Sequence, residues 1–185
     1  MINRDVSKII KKRRSIFPKQ FNGDEISNNT ILEILQNANT APSHKLTQPW
    51  FFKIFTKSGK QKLANEIIKL KQKKSDIFEK KIISNFELSS HIICICMRRD
   101  KSKSIPEWEE IAATAMAVQN IWLSCVNSKI GGYWSSPDVI GKLNIFLNLN
   151  KNERCLGLFY LGIYDSTPLR SVPRKDIETD IEWIE

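Results

Sequence analysis

The chain has 185 residues, 41% apolar and 26% charged, with a formal net charge of +9. These proportions exclude a disordered polypeptide and fit one domain, 1–185, able to bury roughly 70% of its unfolded surface. No stretch approaches the ~20 apolar residues needed to cross a bilayer. The opening Met-Ile-Asn-Arg-Asp leads into no apolar run, so no signal peptide, no membrane partner and a cytoplasmic location are expected.

The lysines are spread along the chain, with one cluster at Lys69, Lys71, Lys73, Lys74, Lys80 and Lys81. Leu63, Ile67 and Leu70 recur there at helical spacing, which makes the cluster the solvated face of a helix. Without zinc-finger spacing, a Gly-rich RNA signature or a heptad zipper, a nucleic-acid partner is not expected. A basic surface still draws phosphorylated ligands toward a pocket. Cysteines 94, 96, 125 and 155 read as small buried hydrophobes in a reducing compartment. Cys94 and Cys96 are read as facing opposite sides of a strand, and no metal is expected.

In chain order, Val6, Ile9 and Ile10 predict a helix over 4–14, capped by Asp5 or Asn3. Arg13 extends that face at i+7 and is expected to point inward. A loop with Pro18 and Asn22-Gly23 follows. The next helix carries Ile31, Ile34, Leu35 and Ala38 on one face, with Ser27 or Asn28 as its cap. Pro42 and Pro49 bracket a polar loop, and Trp50–Phe55 reads as a strand.

A lysine-rich helix is expected over about 59–81, and His91–Met97 as a buried strand. Trp108–Asn127 is apolar nearly all round, so it lies in the core or in a subunit interface. Gly131 is read as the left-handed residue ending it. Ser136-Pro137-Asp138 is expected to open a short helix through Leu143. Cys155–Tyr164 is a third strand, its glycines permitting close backbone approach. About 165–185 form a C-terminal arm, with Ile177, Ile181 and Ile184 on one helical face. The order α-α-β-α-β-α-α-β implies an α+β fold.

Three segments carry candidate chemistry. Arg13-Arg14-Ser15 places two planar forks where a phosphate can be gripped bidentately. Ala41-Pro-Ser-His-Lys-Leu-Thr-Gln-Pro-Trp50 is a rigid polar turn, in which His44 is either a loop histidine bonded to backbone or a ligand contact. Gly131-Gly132-Tyr133-Trp134-Ser135-Ser136 lets backbone approach a flat ligand, and its serines are expected at a helix N-terminus. His91 reads as structural. Two distant histidines and no Gly-x-Ser-x-Gly argue against a Ser-His-Asp hydrolase.

Taken together, these motifs resemble the nitroreductase family of FMN-dependent NAD(P)H oxidoreductases. Pro106-Glu107-Trp108-Glu109 is similar to its compact branch, and Gly157 to Gly162 match its closing strand. The resemblance implies a central, mostly antiparallel sheet flanked by helices, and a homodimer with two FMN sites at its interface. One subunit would supply Arg13, Arg14, Ser15, Trp134, Ser135 and Ser136, and the other Thr40 and His44. Arg174, in the arm, would add a phosphate contact.

NAD(P)H would reduce the flavin at N5, and a nitroaromatic, quinone or similar small acceptor would reoxidise it in ping-pong fashion. No side chain is expected to act as a catalytic nucleophile. Phe17 and Leu46 depart from the family's usual pattern. A non-catalytic flavin- or ligand-binding dimer and a basic nucleic-acid-binding domain are the alternatives.

Overall fold

The protein is described by a computed structural model covering residues 2–72, 75–165 and 173–185. Lys73 and Lys74 of the lysine cluster, and 166–172 of the arm, lie outside the described residues. Five α-helices, α1 (Arg4–Lys12), α2 (Asn28–Ala38), α3 (Lys57–Leu70), α4 (Asp76–Leu88) and α5 (Glu107–Ser124), surround four strands. The strands are β1 (Trp50–Phe55), β2 (His91–Arg98), β3 (Ile130–Ser135) and β4 (Glu153–Ile163). They pair in the order β1-β2-β4-β3, every pair antiparallel. The α+β class therefore stands, with one strand more than the sequence suggested.

Each face of the sheet carries its own core. Cys94, Leu158 and Tyr160 pack with Leu63 and Ile67 of α3 and Ile82 and Phe86 of α4. On the other face Ile93, Ile95, Phe159 and Leu161 meet Ile31 and Ile34 of α2 and Ala117 and Ile121 of α5. This explains the unbroken apolar run of β2, a central strand covered on both sides. His91 at its start is buried, bonded to Ser90 Oγ at 2.9 Å and to Asn28 Oδ1 at 3.3 Å, as a structural histidine should be.

Several local expectations need correction. The single lysine-rich helix is two: α3 stops where Lys71 turns extended, and Ser75 caps α4 by accepting from Phe78 N at 3.2 Å. Gly131 does not end α5; it lies inside β3, and the residue with positive φ after the helix is Asn127. Ser136-Pro137-Asp138 opens no α-helix, only a loop leading to a 3-10 turn at Ile140–Lys142, with Asp138 bonded to Lys71 at 2.6 Å. In the tail the only helical turn among the described residues is a 3-10 turn, Ile177–Asp180.

Cys94 and Cys96 do not face opposite ways. Residues two apart on a strand share a face, and both lie with Cys155 of β4 in the core on the α3–α4 side of the sheet. Among the described residues, no group of three or more His, Cys, Asp or Glu side chains is placed to hold a metal ion. Nor is any helix there long and apolar enough to cross a membrane.

Candidate functional site

The site begins where α1 ends. Asn3 Oδ1 caps this helix by accepting from Asp5 N and Val6 N, but α1 buries no residue, and Val6 and Ile10 are each about half exposed. The helix stops at Lys12, and Arg13 is extended (φ −55°, ψ 131°). Helical spacing therefore does not turn Arg13 inward. Instead its guanidinium lies over the indole of Trp122 on α5, 5.1 Å from the ring centroid.

The chain then runs beside β3. The Gly132 carbonyl accepts from Ile16 N at 3.0 Å and from Trp122 Nε1 at 2.8 Å, tying the post-helix segment, β3 and α5 at one atom. A Cβ on Gly131 would stand 2.6 Å from Ile16 Cβ, and one on Gly132 2.6 Å from the Phe159 ring. The two glycines thus make room for the protein's own side chains.

Between α1, α5 and the tail lies a groove of about 550 Å³, bordered by Arg13, Arg14, Ser15, Gln119, Trp122 and Arg174. Among the described residues no acidic side chain lines it. Burial, then Arg174, then Arg14 hold the Arg13 guanidinium below its ordinary range. Arg14 donates through Nη1 to the Lys11 and Arg13 carbonyls, and its buried Nε has no acceptor among the described residues. Cations crowd one concave surface with an unused donor, the electrostatics of an anion site.

Trp134, Ser135 and Ser136 do not line this groove. Trp134 is half-buried on the α2–α5 side of the sheet, its buried Nε1 without an acceptor among the described residues. A Cβ on Gly157 would stand 2.2 Å from that nitrogen, so glycine there lets the indole lie across β4. Ser135 ends β3 and Ser136 follows in the loop; neither sits at an α-helix N-terminus.

Thr40 and His44 stand along α5 from the groove. Thr40 Oγ1 donates to Asn37 O at 2.7 Å and accepts from Asn120 Nδ2 at 3.4 Å. His44 bonds through its ring, not to backbone, with Nδ1 2.6 Å from Glu109 Oε2. Glu109 belongs to an acidic first turn of α5, suited to the positive end of the helix dipole. There Glu107 pairs with Arg154 at 2.8 Å and with Arg99 at 3.5 Å, while buried Glu110 pairs with Arg99.

Comparison with known proteins decides the lineage. The model of the nitroreductase family matches residues 10–163, most of the chain. The chain belongs to the nitroreductase family. A Bacillus subtilis protein named "Putative NAD(P)H nitroreductase YfhC" is 28% identical over 168 residues, spanning 86% of this chain and 84% of that protein. The crystal structure of a nitroreductase-like family protein from Bacillus cereus superposes with a TM-score of 0.86 at 26% identity, covering 100% and 98% of the two chains. The FMN-dependent nitroreductase NfnB from Mycobacterium smegmatis, solved with NADPH, shares the fold at TM-score 0.77 and 15% identity, covering 98% and 99%.

For this nitroreductase-family chain, the matched span holds every sequence-derived candidate except Arg174. Sequence reasoning missed Gln119 and Trp122 as lining residues and Glu109 as the partner of His44. Gln119 and Trp122 are three apart on a helix and so share a face, but only the chain's return past α5 shows which face meets the arginines.

Proposed function

We propose that this chain is an FMN-dependent NAD(P)H oxidoreductase acting as a homodimer. The observation carrying this reading is the groove where Arg13, Arg14 and Arg174 converge with no lining carboxylate among the described residues. Its donor set suits the phosphate of a mononucleotide: the planar forks of three arginines and the Ser15 hydroxyl. Family membership and the FMN and NADPH of the structural relative NfnB support the same cofactor pair.

Arg13, Arg14 and Arg174 would hold the phosphate. Trp122 holds the Arg13 guanidinium over its ring, so little freedom is lost on binding. Trp134, Ser135 and Ser136 would border the ring from the same subunit, and Thr40 and His44 from the other. FMN held there would supply the redox chemistry, taking reducing equivalents from NAD(P)H for a quinone, nitroaromatic or similar acceptor. A second copy of the chain would cover apolar residues exposed here, Val6 and Ile10 on α1, Trp108 and Met116 on α5, and Trp183 in the tail.

The absorption spectrum of the purified protein tests the reading. A yellow preparation releasing FMN on denaturation, bleached anaerobically by NAD(P)H and reoxidised by a quinone, is expected, with sedimentation as a dimer. Flavin that NAD(P)H does not bleach would reduce the protein to a binding module. A colourless protein that takes up no FMN would overturn the reading.

A further inference from the structure

The Glu109 carboxylate can only accept a hydrogen bond. At 2.6 Å, the hydrogen between Glu109 Oε2 and His44 Nδ1 therefore belongs to the imidazole. Nε2 is left as the ring atom available to a ligand, an acceptor while the ring is neutral. Among the described residues the ring makes no other hydrogen bond.

Both partners are held before any ligand arrives. Glu109 is in the first turn of α5, its N–H donating to Pro106 O at 3.1 Å. The neighbouring carboxylates are occupied, Glu110 by Arg99 and Glu107 by Arg154, so neither competes for the ring. On the loop side, Ser43 Oγ accepts from Gln48 N at 3.0 Å, and His44 O accepts from Thr47 Oγ1 at 3.1 Å and Thr47 N at 3.2 Å. Lys45, Leu46 and Gln48 all have positive φ, at 51°, 53° and 43°. Non-glycine residues hold such angles only where surrounding contacts impose them. The loop is thus fixed in a shape its own chain disfavours, and the Glu109–His44 bond aligns its one imidazole.

We propose that Glu109 is a positioning residue, fixing His44 in its Nδ1–H form so that Nε2 is presented as an acceptor to the bound flavin. This rests on the reading above that His44 borders the flavin. The bond geometry stands without it.

The test uses the full chain with Glu109→Ala and Glu109→Gln. Two-dimensional ¹H–¹⁵N spectra of the imidazoles at slightly alkaline pH report which ring nitrogen of His44 carries hydrogen. Titration of FMN fluorescence reports affinity. Wild type is expected in the Nδ1–H form; Glu109→Ala reverts to the Nε2–H form that free histidine favours and binds FMN about tenfold more weakly. Glu109→Gln, which still offers an amide oxygen, keeps the Nδ1–H form and binds within about threefold of wild type. An Nε2–H ring in wild type, or one unaltered in Glu109→Ala, would overturn the proposal. So would a tautomer change that leaves FMN affinity untouched. If wild type binds no FMN, the flavin reading fails, and the spectra alone still decide whether Glu109 sets the ring.

Discussion

Arg13 and Trp122 form a cation–π pair, guanidinium over indole at 5.1 Å, and the same indole donates to the Gly132 carbonyl at 2.8 Å. This groove-lining arginine is therefore aimed by α5 rather than by its own helix. Arg13→Ala is expected to weaken FMN binding about tenfold or more, the worth of a charge-assisted hydrogen bond. Trp122→Leu, which keeps an apolar side chain but removes both the cation–π contact and the hydrogen bond to the Gly132 carbonyl, is expected to weaken it about threefold. Because Trp122 acts through Arg13, the double variant should bind no more weakly than Arg13→Ala alone. Fully additive losses in fluorescence titrations would show that the pair does not work as a unit.

Gly157 faces a different demand. A methyl group there would meet Trp134 Nε1 at 2.2 Å and Ser135 O at 2.8 Å, one an indole and the other backbone, neither able to give cheaply. Gly157→Ala should cost about 1–3 kcal/mol of stability through overpacking. It should also lower flavin content, because the Trp134–Ser135 segment shifts. Gly141, with nothing within 4 Å of its would-be Cβ, is the control. Thermal melts of both alanine variants check the contrast; equal melting temperatures would contradict it.

His91 makes stability depend on pH. Burial, then Lys60, push its folded-state value below the ordinary imidazole range, with Glu25 opposing. Its hydrogen-bond setting agrees. Ser90 Oγ accepts from Ile26 N at 2.7 Å, while the ring bonds Ser90 through Nδ1 and Asn28 through Nε2. With Asn28 Oδ1 accepting from Nε2–H, the neutral ring uses Nδ1 to accept from the hydroxyl, and a proton on Nδ1 would reverse that bond, the hydroxyl oxygen then accepting. Above about pH 6.5 both states are neutral and His91 adds no pH dependence. As pH falls through that value the unfolded chain binds the proton first, so stability drops until the folded-state value is passed and then levels. Urea unfolding from pH 8 to pH 5 should show this loss in wild type and a flatter profile in His91→Gln. Parallel profiles would remove His91 from the account.

Legibility in the sequence followed how local each cause was. β2 could be read because both its faces are buried and every residue from His91 to Met97 reports it. β3 was hidden because Gly131-Gly132 reads as a turn, whereas its glycines serve contacts with Ile16 and Phe159 that exist only after folding. The α3–α4 break was available in Ser75, a capping residue with Asp76 and Glu79 in the following turn, but the lysines around it read as one continuous face. Arg13-Arg14-Ser15 was found as a motif. The periodicity used to turn Arg13 inward describes a helix that has already ended, on a face that is itself exposed. Only the chain's return past α5 makes the groove, and no spacing rule encodes that.

Glu110 is the residue of α5's acidic turn on which most folding energy should hang. It is 1% exposed, pairs with Arg99 Nε, and accepts from Asp100 N at 2.6 Å. Arg99 also donates to Ile105 O at 2.9 Å, so the pair pins the loop between β2 and α5. Glu110→Ala leaves the mostly buried Arg99 guanidinium with only the more distant Glu107 carboxylate, 3.5 Å away, and should cost about 3 kcal/mol. The paired replacement Arg99→Met with Glu110→Leu removes both charges, leaves none uncompensated, and should recover much of that loss. Urea unfolding of the two variants checks the order. A double variant less stable than Glu110→Ala would mean that the ion pair stabilises the loop beyond merely cancelling its own charges.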